Sequence, residues 1–536
     1  MTSADIKKIG IASAIMMLSV FLSRVAGLIR EMVIAFVGGT HGQVDAYQVA
    51  FIIPEILNHI LAGGFLSVTF IPIFSKYLVC DDEKGGWDVC VMVLNTFGGF
   101  LILLCGFAIA VSPRLIALLA PGLEDPALVE SAVRMTRIII PAQFFFFAGG
   151  LFAAVQFAKG KFGIPALAPL IYNIGIILGG LLLGRHIGME GFSWGALAGA
   201  GLGNFLLQYW GAARIGFTYR LKIGLLHPDI KRYVLLTLPL MFGLTMTFST
   251  EIFFKFFGSF LERGGIAALN YGLRIMLILV GLFGQAVGVA SFPVLARLAV
   301  KNETSEMNRI LNGTLRVLAF VIPLSVLLIV LRSEVVFLLF QRGRFDAAST
   351  ELTSGILGYM LIGAFAFSAQ SIVVRGFYAK QNTVLPAIYQ TAAVLLSIPL
   401  YLIGMQVMAL SGVALAVSLS ALLQTLVLYV IWNRKSRNSG AGTVYFSVMK
   451  MIGLSIPLGL FFEWMRIRLL PMFDMDAAGG NLAVSVIVGG AFVGVLFIFG
   501  TVFNIEEIRF FYRRLRSFLS KKPGPAAGSA GKYSER

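Results

Sequence analysis

The chain has 536 residues, of which 58% are apolar and 13% charged, with a mean hydropathy of +0.87; soluble domains carry about 25% charged residues, so water is not its main solvent. Repeated apolar runs of roughly 20 residues, each able to cross a hydrocarbon core about 30 Å thick, indicate a polytopic membrane protein and leave no room for a sizeable soluble domain. The net charge of +17 is spread over short polar segments, and neither the three cysteines (Cys80, Cys90, Cys105) nor the four histidines (His41, His59, His186, His227) have the spacing of a disulfide framework or a zinc site.

The first apolar run, about 9–37, is too long for the core of a signal peptide and lacks a following small-residue cleavage site, so it reads as a retained transmembrane helix. It contains SRVAGLIRE, which places Arg24, Arg30 and Glu31 in apolar surroundings. The second run, about 45–75, begins near Asp45 and carries Glu55, Asn58 and His59. Runs at about 88–112, 131–157, 165–184 and 191–212 follow, then a weakly apolar stretch to about 232. Next come about 233–257, with Glu251 and Lys255, and about 267–296, with Arg274. Runs at about 311–331, 352–377, 386–405, 410–432, 444–465 and 482–503 bring the expected number of spans to about fourteen.

An even number of spans puts both termini on one side. With the N-terminus in the cytoplasm, Lys and Arg outside the spans favour cytoplasmic segments by about three to one, as the positive-inside rule requires. The tail residues Arg513, Arg514, Arg516, Lys521 and Lys522 read as a cytoplasmic anchor near anionic lipid, and no feature calls for nucleic acid.

Two segments match in register. FAKGKFGIPA (Phe157–Ala166) and YAKQNTVLPA (Tyr378–Ala387) both place a Pro six residues after the Lys. The same 221-residue offset relates Pro72 and Lys76 of FIPIFSK to Pro293 and Arg297 of SFPVLAR. Six spans lie within that offset, so the copies keep one orientation and form parallel repeats about an axis along the membrane normal. The expected fold is an all-α polytopic membrane protein of fourteen transmembrane helices. Its parts are a first six-helix lobe (1–222), a second (223–437), two extra helices (438–505) and a basic tail (506–536). Transporters built this way hold substrate between the lobes and rock one against the other.

Each ionised group at mid-bilayer costs about 2.5–3.5 kcal/mol, so five facing lipid would cost roughly 15 kcal/mol. That rivals the whole net stability of a typical protein, about 5–15 kcal/mol, and the charges must face a wet internal cavity. Arg24 and Glu31, seven apart, share a helix face, whereas Arg30 points some 120° away; Arg24 is thus the better cavity candidate, with Glu31 as its partner. Glu251 and Lys255, four apart, suit either a self-neutralising pair or cavity groups. Arg274 has no acid within one turn and suits either an interlobe salt bridge or an anion contact. Asp45 reads as a gating ion pair or a solvated rim group, and Glu55 with His59 as an internal hydrogen bond ahead of a proton relay. A cavity whose unpaired charges are mainly Arg suits phosphate, whose oxygens guanidinium groups match bidentately. No GxxxxGKS/T segment occurs, so no ATP site, cofactor or metal is expected. A membrane potential or ion gradient remains, worth about 2.3 kcal/mol per charge per 100 mV.

SRVAGLIRE, VDAYQVAFIIPEILNHILAGGFLSVTFIPIFSKY, FAKGKFGIPALAPLIYN, ALNYGLRIMLILVGLFGQAVG, LFQRGRFDAAST and RGFYAKQNTVLP together resemble the bacterial lipid II flippase family. That family lies within the superfamily of multidrug, oligosaccharidyl-lipid and polysaccharide exporters. The resemblance implies that Arg24, Arg30, Asp45 and Arg274 line or gate a central cavity for a pyrophosphate and sugar head, and that helices 13 and 14 form a groove for the polyprenyl tail. Lys255, Asn58 and His59 join the candidate substrate-binding group, and Glu31, Glu55 and Glu251 the candidate gating or ion-pair group. The sequence departs from the family with Glu31 in place of Asp, with Glu55, Asn58, His59 and Gly63 in helix 2, and with Phe254 and Lys255 near a position that is commonly Asp.

The reading is an alternating-access flippase, not an enzyme, moving undecaprenyl-pyrophosphate-linked peptidoglycan precursor across the bacterial cytoplasmic membrane. Its expected partners are that glycolipid, membrane lipids and cell-wall synthesis machinery, with the chain itself a monomer. The departures keep open another polyprenyl-linked oligosaccharide, or a cation-coupled multidrug exporter of the same superfamily. An intramembrane glycosyltransferase or ligase fits less well, because the most charged outer loop, Arg342 to Asp346, has no acid–base pair.

Overall fold

A computed structural model of the protein describes residues 3–59, 65–224, 226–244, 249–502, 505 and 507–509. Gly63 and most of the basic tail lie outside the described residues. Among those described, the chain is helical. The first part runs α1 (Ser3–Gly38), α2 (Gly42–Ala50), α3 (Ile52–Leu57), α4 (Phe65–Val79), α5 (Glu83–Leu119), α6 (Pro126–Ile139), α7 (Ala142–Ala158), α8 (Gly163–Ile187), α9 (Glu190–Gly199) and α10 (Leu207–Ala213). There follow α11 (Pro228–Leu244), α12 (Ser249–Gly258), α13 (Gly265–Val280), α14 (Ala286–Val300), α15 (Thr304–Leu318), α16 (Val321–Val330), α17 (Arg332–Phe340), α18 (Ala347–Leu361) and α19 (Ala364–Ala379). The last are α20 (Val384–Ser436), α21 (Ala441–Leu469) and α22 (Ala478–Val502).

Among the described residues, eight helical stretches are long and apolar enough to cross a bilayer, with α6 and α7 counted as one and α15 and α16 as another, and the pair α18 and α19, bent by 45°, makes a ninth. The second and seventh expected spans are interrupted. α2 and α3 meet at Phe51, just before Pro54, whose ring cannot continue an unbroken helix; α11 and α12 flank residues outside the description. α20 is continuous only nominally. Ala409 (φ 48°, ψ −126°) is not helical, and a Cβ on Gly412 would fall 1.8 Å from the Gly404 carbonyl oxygen, so the chain doubles back there.

Positions 221 apart share backbone conformation. Left-handed φ values occur at Asp81 and Asn302, Gly160 and Gln381, Gly188 and Ala409, and Gly216 and Arg437. The turns after the duplicated Lys residues also match bond for bond. Lys161 N–H donates to Gln156 O at 2.8 Å, and Asn382 N–H to Phe377 O at 3.0 Å. These six-to-one bonds are the helix-ending arrangement that favours a left-handed residue.

One large apolar core runs through both halves of the chain, and a second lies among α16, α21 and α22. α8 and α9 cross with their backbones nearly touching: a Cβ on Gly179 would lie 2.5 Å from the Gly195 Cα, an approach typical of helices packed through small residues in lipid. Outward side chains such as Leu182, Leu460 and Val486 are more than half exposed, as a lipid-facing surface requires.

Candidate central cavity

A cavity of about 380 Å³ lies where α1, α2 and α3 meet α12 and α13. Arg30, Glu31, Glu55, Asn58, His59, Glu251 and Arg274 line it, joined by Tyr47, Gln143 and Tyr172. Lys255 is buried beside it.

The charged groups form a chain of pairs. Arg30 Nη2 lies 2.7 Å from Glu31 Oε1, and its Nη1 donates to Asn173 Oδ1 at 3.1 Å. Glu31 Oε1 is 3.8 Å from Arg274 Nε, and Glu31 Oε2 accepts from Asn270 Nδ2 at 3.4 Å. Arg274 Nη1 is 3.7 Å from Glu251 Oε1. Lys255 Nζ reaches Glu55 Oε2 at 3.4 Å. Two links, Glu31 with Arg274 and Glu55 with Lys255, join the first half of the chain to the second.

This arrangement corrects three expectations. The cavity is not dominated by unpaired arginine: Arg30, Arg274 and Lys255 meet Glu31, Glu55 and Glu251, and the charges balance. Glu31 is the partner of Arg30 and Arg274, not of Arg24. Arg24 and Glu31 do face the same neighbour, but seven residues place them about 10 Å apart along the helix, and Arg24 instead donates to Gln285 away from the cavity lining. Arg30 reaches round α1 on its long side chain to the residue beside it. The pair Glu251 and Lys255 is also not self-neutralised, since each has its own partner across the cavity.

His59 Nδ1 sits 2.6 Å from the Glu55 backbone oxygen, the carbonyl and not the carboxylate. Asn58 lines the cavity wall. Uncharged amides were passed over in the sequence: Asn173 fixes Arg30, and Asn270 fixes Glu31. Their signal was a polar amide inside the apolar runs LIYNIGIIL and AALNYGL. Among the described residues no group of His, Cys, Asp or Glu is placed to hold a metal ion.

Asp45 is neither an ion pair nor a solvated rim group. It is 3% exposed, and its carboxylate accepts the backbone N–H groups of Gly264 and, at 2.8 Å, of Ala267. It thus satisfies the free N–H groups at the start of α13 from the opposite half of the chain. Gly264 has φ +86°, and a Cβ there would lie 1.7 Å from the Thr40 carbonyl oxygen, so only glycine fits. Around this contact Tyr271 O–H donates to Gly39 O at 3.1 Å, Thr40 Oγ1 meets Ser349 Oγ at 2.8 Å, and Arg344 N–H donates to Phe36 O at 2.9 Å. Gly122 N–H donates to Ser259 Oγ at 3.1 Å on the same face. The two halves are closed together where α1 ends and α13 begins.

A second, apolar groove of about 740 Å³ opens between α15, α16, α19, α20 and α21, lined by Leu315, Val326, Phe365, Val373, Tyr429 and Ile452 among others. Of the two C-terminal helices expected to form a tail groove, α21 contributes one wall and α22 none. The inward stripe of α22, Val484, Val488, Phe492 and Leu496, packs behind α21, with Phe462 and Phe492 ring centroids 5.2 Å apart.

The family model described as lipid II flippase MurJ matches residues 34–476. The chain is 28% identical over 419 residues to a probable lipid II flippase MurJ of Vibrio cholerae serotype O1, covering 76% of this chain and 80% of that one. It is 26% identical over 499 residues to lipid II flippase MurJ of Burkholderia cenocepacia, covering 89% and 95%. In fold it is similar to a lipid II flippase MurJ in an inward closed conformation, with TM-score 0.73 and 23% identity over 90% of this chain and 98% of that one. An inward-facing MATE family transporter of the MOP superfamily follows at TM-score 0.64 and 14% identity, covering 77% and 94%. The matched residues take in Glu55, Glu251, Lys255 and Arg274 of the cavity, the Asp45 contact and the apolar groove, with Arg30 and Glu31 just before their start, and the chain belongs to the lipid II flippase MurJ family.

Proposed function

We propose that the protein translocates lipid II, the undecaprenyl-pyrophosphate-linked peptidoglycan precursor, from the cytoplasmic to the outer leaflet of the bacterial cytoplasmic membrane by alternating access. The observation that carries this reading is the cavity itself: three cations sit at the junction of the two halves, each held by a carboxylate that a diphosphate can replace. Phosphate oxygens match guanidinium geometry at least as well as carboxylates do. The exchange frees Glu31 from Arg274 and Glu55 from Lys255, two of the ties that join the halves, so loading the cavity loosens the closed state. A volume of about 380 Å³ is at the small end for a ligand pocket, and the full head requires the halves to part. The apolar groove of the second half suits a polyprenyl chain.

The architecture we infer is fourteen spans: two parallel six-helix lobes at 1–222 and 223–437, two further helices at 438–505, and a basic tail at 506–536. The recurrence of left-handed residues at the sequence offset supports the duplication. Both termini are assigned to the cytoplasm by the positive-inside rule, which makes the closed face extracytoplasmic. No covalent chemistry and no cofactor are invoked, and the chain works as a monomer. The membrane potential, worth about 2.3 kcal/mol per charge per 100 mV, favours outward movement of a negative head.

Rescue of cells depleted of their own lipid II flippase tests the cargo. Expression of this chain is expected to restore growth; failure despite a normal amount of protein in the membrane would contradict the choice of lipid II.

A further inference from the structure

A third cavity, about 1210 Å³, opens on the closed face and belongs to neither the charge chain nor the apolar groove. Its walls come from both halves of the chain: the end of α1, the start of α2, the middle of α6, the α8–α9 junction and the loop between α17 and α18. Three arginines line it. Arg134 is already held by Glu190 at 2.7 Å and Glu130 at 2.8 Å. Arg185, in the last turn of α8, and Arg344 are both exposed, and neither has a carboxylate within ion-pairing distance among the described residues. Glu190, the one acid in the lining, is spent on Arg134, so the cleft carries a net positive charge.

Arg344 is held in place by its backbone. Its N–H donates to Phe36 O at 2.9 Å, and the preceding Gly343, at φ +64°, packs so close that a Cβ would lie 2.5 Å from the same oxygen. The rim of the cleft is apolar and exposed, with Phe36 at 48%, Leu182 at 66% and Ile187 at 42%. Free arginines beside a lipid-facing rim fit an anion that carries a hydrocarbon tail. On an extracytoplasmic face such arginines run against the topological preference for few basic residues, so topology does not account for them.

We propose that this cleft binds the phosphoryl headgroup of an outer-leaflet lipid, gripped by Arg185 from one half of the chain and Arg344 from the other. The leaflet rests on the orientation given under the proposed function; the chemistry of the site does not. Because the two arginines belong to different halves, an occupant stabilises the closed face.

The test uses the purified full chain in detergent, with binding of dioctanoyl phosphatidic acid compared with dioctanoylglycerol and with inorganic phosphate. Saturable binding of phosphatidic acid is expected, at least tenfold weaker in the Arg185→Ala/Arg344→Ala variant, with no saturable binding of dioctanoylglycerol. Inorganic phosphate is expected to need at least tenfold higher concentration. Equal affinity in parent and double variant overturns the site. Phosphate binding as tightly as the lipid overturns the lipid assignment in favour of a free anion. If the double variant fails to fold, Arg344→Gln, which keeps the backbone bond to Phe36, is expected to weaken binding at least threefold, and unchanged binding there overturns the proposal. Arg274→Ala, which the flippase reading expects to abolish lipid II transport, leaves this affinity unchanged, so the two readings fail separately.

Discussion

The Asp45 carboxylate accepts the backbone N–H of Ala267 at 2.8 Å, so a side chain from the first half of the chain caps a helix of the second. Capping interactions of this kind are worth about 0.5–2 kcal/mol. Here that energy holds the two halves together, and separating them there costs it.

Asp45→Ala is therefore expected to weaken the closed face. A loss of about 1–2 kcal/mol multiplies the open population by roughly 5–30. Labelling of Thr40→Cys by an impermeant maleimide, compared with and without Asp45→Ala, measures this; equal rates would contradict the assignment.

The Glu55–Lys255 link makes an asymmetric prediction. Lys255 is 1% exposed, and Glu55→Gln leaves its ammonium buried without a carboxylate, at an expected cost of about 3–5 kcal/mol. Lys255→Met leaves Glu55 facing the cavity and costs less. The double variant is expected to be more stable than the sum of the single losses, which thermal unfolding in detergent would show; strict additivity would mean that the two groups do not interact.

How much of this was legible in the sequence depends on reach. Charges inside apolar runs announce a wet interior because their desolvation cost is large, and Arg30, Glu31, Glu55, Glu251 and Arg274 all line one cavity. Their pairing was not legible, because a 100° helical wheel places Cβ atoms and says nothing of where a long guanidinium ends. Arg24 shares the face of Glu31 but lies too far along α1 to meet it, and Arg30 does. The Asp45 contact was hidden for another reason: its partners are backbone N–H groups, which every sequence has. The duplicated motifs announced the turns at Lys159 and Lys380. The matching left-handed residues Asn302, Gln381, Ala409 and Arg437 carry no glycine to mark them.

Ala409 adopts φ 48° and ψ −126°, where its counterpart Gly188 has φ 61° and ψ −137°. A Cβ is strained in this region. Ala409→Gly is expected to stabilise the protein by about 1 kcal/mol, and Gly188→Ala to destabilise it by at least as much. Melting temperatures of the two variants check this, and a fall in both would contradict it.

Asp346 supplies a pH-dependent contact outside the spans. The Ser349 N–H and hydroxyl, both donating to its carboxylate at 2.8 Å, hold it below the usual aspartate range. A depressed carboxyl contributes stability above its unfolded value of about 3.9, and that contribution is lost as pH falls through the lower folded value. Asp346→Ala is expected to cost about 0.5–2 kcal/mol at pH 7 and progressively less below about pH 4. Melting curves of parent and variant between these pH values should converge on acidification; a constant gap would contradict the linkage.

The most direct measurement of the central claim is the fraction of lipid II exposed on the outer leaflet of cells that rely on this chain, for the parent, Arg30→Ala, Arg274→Ala and Arg24→Ala at matched expression. Loss of outer-leaflet lipid II in Arg30→Ala and Arg274→Ala, with a smaller effect in Arg24→Ala, is the expected result. Parental exposure in both cavity variants would show that the paired cations between the halves do not receive the diphosphate.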